Sequence, residues 1–311
     1  MLSIIIPSHN RTDLLARCLQ SVSKHAPADA EVIVVDDGSP GCRVTHTARR
    51  FANVRVLCLS RRGGFCRAVN AGIAIAQGDI VELLNDDTEV ASGWADAALA
   101  WFEDAKVGAV APLVLTGPDG NTVDSAGDRY YLGGVAGKRG HQGPITQDLL
   151  TPKRVFGASA SSAFYRLEAL RKIGGFPESF GSYFEDVDVA FRLGRAGYEI
   201  LYEPRSRVFH HGSASHGRSS RRLAQQQSRN EERVFWRNLP SPALLRALPK
   251  HAAVLLAKAW RRWNEGTLSP FLLGRLQCWT EMRGIRRHRE WLTRLGDGRG
   301  QPLIESTFWA E

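Results

Sequence analysis

Within its first 110 residues the chain alternates short β-branched-rich runs with stretches of helical spacing, and few folds accommodate that alternation. The apolar runs cover residues 2–6, 31–36, 54–59, 80–84 and 107–111. Between them, residues 11–24 set Leu14, Leu15, Cys18, Leu19 and Val22 along one helical face, and residues 65–76 and 92–104 read as further helices. Strands that alternate with helices predict an α/β fold, here a Rossmann-like, mainly parallel sheet flanked by helices on both faces. Ligands of such sheets bind beyond the carboxyl ends of the strands. The residues that close each run are therefore where chemistry is expected.

Several of those ends are acidic. IVELLNDDTEV closes its run on Asp86 and Asp87, and VIVVDDGS closes on Asp36 and Asp37, with Gly38 and Ser39 making the turn. Uncompensated carboxylates at a strand end make a hard-oxygen site suited to Mg²⁺ or Mn²⁺ together with a substrate phosphate. Asp36 and Asp37 are also placed to accept the N3–H of uracil or thymine, or to bond a ribose hydroxyl. SIIIPSHNR turns at Pro7 and leaves His9, Asn10 and Arg11 at the sheet edge. Further on, SYFEDVDVAFRL gathers Glu185, Asp186 and Asp188 at a helix start, and RVFHHGSAS puts His210 and His211 at a strand end. Each cluster alone also has a purely structural reading. Asp-rich turns cap helices, acids in a first turn complement the helix dipole, and an isolated histidine is commonly structural.

Taken together, the order of IIIPSHNR, VIVVDDGS, GFCRAVNAGIAIAQGDIVELLNDDTEV, GGFPESFGSYFEDVDVAFRLGRAGY and VFHHGSAS resembles glycosyltransferase family 2. These are inverting nucleotide-sugar transferases with the A-type glycosyltransferase fold. Within the family the likeness is to rhamnosyl- and galactofuranosyltransferases of bacterial surface polysaccharides. The resemblance implies that Asp37, with Asp36 beside it, holds the base, helped by the backbone from Pro7 through His9 to Asn10. It puts Asp86 near the ribose, and Arg11, Arg62 and Asn70 in the donor-binding set. Asp87 becomes the ligand of the divalent ion, Mg²⁺ or Mn²⁺, that bridges the diphosphate, with His210 completing the metal site. Asp186 becomes the general base, paired with Glu185. The chain departs from the pattern at Asn85, where many members carry an acid, at Arg62, where an asparagine is common, and in the small, polar GASASSAFYR segment.

The implied reaction moves a sugar from a UDP- or dTDP-linked donor to a hydroxyl of a glycan or lipid-linked glycan. The alternative is a non-catalytic nucleotide-sugar-binding or scaffolding protein on the same fold. A nucleotidyltransferase needs a glycine-rich loop after the first strand, and IIIPSHNRTD has none. A dehydrogenase needs a G-x-G-x-x-G that follows no strand here.

Charge divides the chain in two. Residues 1–217 hold 23 Lys+Arg and 24 Asp+Glu, a balance of −1, whereas residues 218–311 hold 18 and 8, a balance of +10. The first part is read as the catalytic domain and the second as a basic helical extension. Six of the eight tryptophans lie in the extension: Trp236, Trp260, Trp263, Trp279, Trp291 and Trp309. Leu245, Leu248, Ala252, Leu255, Leu256, Ala259 and Trp263 line one face of a helix whose other sides carry Arg246, Lys250, Lys258 and Arg262. Such helices suit an anionic membrane surface. They equally suit packing against the catalytic domain or a second copy of the chain in a homo-oligomer. Nucleic acid is the poorer partner, because no recognised binding motif accompanies the charge. Five scattered cysteines without C-x-x-C spacing favour a reducing compartment. No signal peptide or membrane span is apparent in the sequence. The expected location is cytoplasmic, peripheral on the inner membrane's cytoplasmic face.

Overall fold

The computed structural model describes residues 1–117, 120–212, 221–295 and 300–306. In chain order its elements begin with β1 (Leu2–Ser8), α1 (Thr12–His25), β2 (Glu31–Asp36), α2 (Arg43–Ala48), β3 (Val54–Cys58) and α3 (Phe65–Ile75). Next come β4 (Ile80–Leu84), β5 (Thr88–Val90), α4 (Trp94–Leu99), β6 (Val107–Thr116), β7 (Thr122–Ser125), β8 (Asp128–Tyr131) and β9 (Val135–Lys138). They are followed by β10 (Lys153–Arg154), β11 (Ser162–Arg166), α5 (Leu167–Lys172), α6 (Glu185–Arg195) and β12 (Glu199–His210). The extension contributes α7 (Arg221–Asn238), α8 (Ser241–Asn264), α9 (Leu268–Thr280) and α10 (Met282–Arg294).

One sheet runs in the order β10-β12-β6-β11-β4-β1-β2-β3, with β5 added against β12 and β7 against β6. Strands β3, β2, β1 and β4 are parallel neighbours. This is the half that the strand–helix alternation predicts, since a parallel pair needs a crossover long enough for a helix. The other half is mixed. β11 enters antiparallel to both β4 and β6, whereas β12 is parallel to β6.

The parallel strands are apolar on both sides because both are covered. Ile4 and Ile6 pack with Leu15, Cys18 and Leu19 of α1, while Ile5 faces Val69 and Ile73 of α3. Glu82, in the middle of β4, is fully buried. It accepts hydrogen bonds from Trp94 Nε1 (2.9 Å) and Ser162 Oγ (3.2 Å), and burial pushes its carboxyl up to about 8.

The polar stretch between residues 115 and 151 is built from loops and hairpins. β6 runs on to Thr116 and pairs with β7, and β8 and β9 form a separate two-stranded ribbon. The segments 198–202 and 207–210, which read as two strands, are one. β12 is continuous, with a register shift between Glu203 and Arg207. Pro204 breaks the apolar pattern where the strand bulges.

The extension packs on the α3 and α6 side of the sheet. Val234, Phe235, Leu239 and Ala247 belong to the same apolar cluster as Val69, Phe176 and Phe191. α8 is turned against its pattern. Ala247 and His251 are buried, the His251 ring stacks 3.6 Å from that of Phe235, and the leucine–tryptophan face points outward. Among the described residues no helix is long and apolar enough to cross a membrane. Trp309 and the division at 217/218 lie outside the described residues.

Candidate active site

The ends of β1, β2 and β4 lie side by side, with Ser8 in register with Asp36. Asp36 is fully buried and accepts from Ser39 N (2.9 Å), Thr45 N (3.2 Å) and Thr45 Oγ1 (2.7 Å). Burial alone would raise its pKa, but these donors outweigh burial and hold it below the usual carboxylate range. Asp37 accepts from the backbone N–H of Gly63 (2.6 Å) and Gly64 (2.9 Å), which ties down the loop that carries Arg62. That loop passes so close to Gly38, which has φ +66°, that an added Cβ would lie 2.5 Å from Arg62 N. His9 Nδ1 lies 2.9 Å from Asp37 O, and Asn10 N donates to Ser39 Oγ (3.0 Å). Pro7, His9, Asn10, Asp36 and Asp37 thus form one rim, with the Arg62 side chain exposed at its edge. Asn70 is elsewhere. Its amide bonds both the N–H and the carbonyl of Phe176 (2.8 Å each), so it clips a loop instead of facing the rim.

The second acidic pair has different neighbours. Asp86 accepts from Ser8 Oγ (2.7 Å) and from the Arg11 guanidinium (3.4 Å), and Asp87 Oδ2 accepts from the same Arg11 nitrogen (3.1 Å). Burial lifts Asp86 to about 6 despite these partners. Burial would also raise Asp87, but hydrogen bonding to His210 and its charge outweigh it, and the carboxyl stays low. His210 stands between two acids, with Nε2 3.2 Å from Asp87 Oδ1 and Nδ1 3.3 Å from Asp124 Oδ2. Burial disfavours the imidazolium, but Asp124 and Asp87 together raise His210 to about 9.

These residues fit a divalent ion. Asp87 Oδ1 is buried without a hydrogen bond of good geometry, and the imidazole nitrogen beside it is oriented by a carboxylate on its far side. A carboxylate behind the imidazole is the usual support of a metal-bound histidine. Among the described residues no cage of three or more such ligands is preassembled. Two protein ligands suffice for an ion that completes its shell with phosphate and water.

The third group opens α6. Asp186 is half-buried and accepts from Ala160 N (3.2 Å) and Val187 N (2.8 Å). Burial raises its pKa, and those N–H groups offset only part of the rise. Glu185 is buried with Oε2 unpartnered, and burial followed by the Asp186 charge pushes it well up. Asp188 turns inward onto Arg192 (2.7 Å) and Asn238 (2.7 Å), so it anchors α6 to α7. The extension also sets the approach to the acids. Asn230 Nδ2 bonds the carbonyls of Phe180, Ser182 and Tyr183, each at 3.0 Å, and Gln226 bonds the first two.

Short contacts and charges link the three groups. Gly181 O, just before the acidic segment, accepts from Cys66 N (3.1 Å), directly after the loop that Asp37 holds. Lys138 bonds Asp124 (2.9 Å), and its charge also acts on Asp128 and Asp186. Arg11, on the metal-ligand side, is close enough to act on the Tyr183 hydroxyl. The sequence reading missed Ser8, Asp124, Asp128, Lys138, Gln226 and Asn230. Asp124 and Asp128 stood in TVDSAGD without any spacing that tied them to His210. Only the pairing of Thr116 with His210, and of β6 with β7, brings them together.

The model of the family described as Glycosyl transferase family 2 matches residues 3–174, more than half of the chain. The chain belongs to glycosyltransferase family 2. It is 31% identical over 241 residues to an N-acetylglucosaminyl-diphospho-decaprenol L-rhamnosyltransferase of Mycobacterium tuberculosis, which covers 70% of this chain and 78% of that one. An uncharacterized protein of Sinorhizobium fredii is 31% identical over 232 residues, and there the chain spans 25% of the relative's length. Among solved structures, GalNAc-T7 with UDP, GalNAc and Mn²⁺ superposes with a TM-score of 0.62 at 21% identity, covering 76% of this chain and 47% of that one. A mannosyltransferase of Pyrobaculum calidifontis in complex with GDP-Man and Mn²⁺ gives 0.58 at 19% identity, covering 94% and 83%. These likenesses establish the A-type glycosyltransferase fold, carried here with a C-terminal set of helices.

Proposed function

We propose that this family 2 member is an inverting, metal-assisted glycosyltransferase. It moves a sugar from a UDP- or dTDP-linked donor to a hydroxyl of a glycan or lipid-linked glycan in the cytoplasm, at the face of the inner membrane. The observation that supports it most is the chain of ion pairs from Arg11, Asp86 and Asp87 through His210 and Asp124 to Lys138, whose charge also acts on Asp186. The rhamnosyltransferase name of the mycobacterial relative supports rhamnose as the first sugar to try.

In this reading Pro7 to Asn10 and the Asp36–Asp37 turn receive the nucleoside. Mg²⁺ or Mn²⁺ held by Asp87 and His210, when bound, supplies Lewis-acid stabilisation of the departing diphosphate. Arg11, between Asp86 and Asp87, is a second cation within reach of that charge. Asp186 takes the acceptor proton, and its raised pKa makes it a better base than a solvated aspartate. Glu185, buried beside it, positions it. A single base on the acceptor side implies inversion at the anomeric carbon.

The test incubates the chain with UDP- and dTDP-sugars, Mn²⁺ or Mg²⁺, and lipid-linked glycan acceptors, and follows nucleotide release and the anomeric configuration of the product. Metal-dependent release with inversion is expected. Donor binding without turnover on any acceptor would instead make the chain a nucleotide-sugar-binding or scaffolding protein.

A further inference from the structure

α8 carries an apolar stripe and presents it to solvent. Leu245, Leu256, Trp260 and Trp263 recur at helical spacing and are each at least 70% exposed. α9 does the same beside it. Phe271 and Cys278 are buried toward α7, whereas Leu272, Leu276 and Trp279 stand out. A contiguous face of this kind marks an interface, and charge identifies the partner.

Where the end of α8 meets α7, a cavity of about 270 Å³ is lined by Lys258, Arg261 and Arg262, with Phe184 and Phe271. One carboxylate stands in its wall, Glu231, and it is paired with Lys258 and Arg275. Glu265 at the helix end bonds Arg261 (2.7 Å) and Arg262 (2.9 Å), yet cations still outnumber acids. Phe184, on the opposite wall, immediately precedes Glu185 and Asp186.

We propose that the outward faces of α8 and α9 lie on an anionic bilayer, and that the adjoining cavity takes the phosphate headgroup of a membrane lipid beside the segment that carries Asp186. Indole rings settle at headgroup depth, leucines insert below them, and guanidinium groups fork onto phosphate oxygens. An acceptor carried on a lipid phosphate then arrives with its glycan end at the cleft. That last step rests on the transfer reading; the docking does not.

The test uses the full chain without donor, and vesicles of phosphatidylcholine alone or rich in phosphatidylglycerol, scored by sedimentation and tryptophan emission. Binding with a blue shift is expected on anionic vesicles and only weakly on neutral ones. Trp260→Ala with Trp263→Ala should remove most of the shift and leave the part due to Trp279, and Arg261→Gln with Arg262→Gln should lower partitioning roughly 30-fold, at about fivefold for each basic side chain near the surface. Both doubles should unfold at the parent temperature, because these side chains are largely exposed or at a helix end. Equal binding to both vesicles, binding to neither, or a concentration-dependent dimer that shields Trp260 and Trp263 overturns the docking. Thermal protection by inorganic pyrophosphate without vesicles and without metal, lost in the Arg261→Gln and Arg262→Gln double variant, assigns the cavity to a soluble phosphate and overturns the lipid source. Vesicle binding with no turnover on any donor upholds the docking and removes the transfer reading.

Discussion

Asp36–Asp37 and Asp86–Asp87 are the same dipeptide at the ends of β2 and β4, both strands neighbouring β1, yet they meet different neighbours. The first pair is surrounded by backbone N–H groups: Ser39 and Thr45 on Asp36, Gly63 and Gly64 on Asp37. The second is surrounded by side-chain cations, Arg11 and His210, and retains a buried oxygen without a well-formed hydrogen bond. A carboxylate whose oxygens satisfy backbone donors builds a loop. A carboxylate held against mobile or exchangeable cations is available to a ligand. Identical residues at equivalent strand ends are thus divided into scaffold and chemistry by what the following turn brings to them.

The contrast can be broken by substitution. The largest effect is expected from Asp186→Asn, in the acid pair proposed for the acceptor side. The transfer rate should fall ~10²–10⁴-fold with donor affinity nearly unchanged, because a general base acts mainly in the transition state. Parallel assays of nucleotide release and calorimetric donor binding check it, and near-normal turnover would move the base to another group, with Asp128 first in line.

Asp36→Ala should act on stability instead, since it strands the buried N–H groups of Ser39 and Thr45 at a cost of about 2–4 kcal/mol. A urea midpoint equal to the parent's would show that the first pair is not scaffold. Asp124→Asn leaves both proposed metal ligands present but loosens the orientation of His210. Mn²⁺ affinity should drop about 10–100-fold, and unchanged affinity in a titration would remove Asp124 from that role.

The effect that is smallest per step is graded with pH. His210 is held at about 9 by its two acids, and a metal-bound imidazole must be neutral, so metal and proton compete. Affinity should rise with pH by about tenfold per unit between pH 6.5 and 8.5, with proton release on binding. Below about pH 6, protonation of Asp86 weakens the site further. A flat profile would exclude His210 as a ligand.

Much of the cleft was legible because parallel strands place their ends together. Once residues 2–6, 31–36 and 80–84 are strands of one sheet, Arg11, Asp37 and Asp87 must share an edge. Asn70 shows where local pattern stops informing. Its segment lies in the family pattern, but its amide faces the Phe176 backbone, 106 positions away. Asp124 and Lys138 were invisible because no local spacing links a hairpin residue to a histidine 86 positions on.

Periodicity and strand-end chemistry, which depend on neighbours a few positions apart, determined the α/β class, the acidic strand ends and the amphipathic basic helices. Which acid would be spent on backbone, which would be left open, and which way α8 would turn its tryptophans depended on long-range contacts. Strand pairing and helix packing supply those contacts only when the whole chain is folded, because burial and charge act through space and not along the sequence.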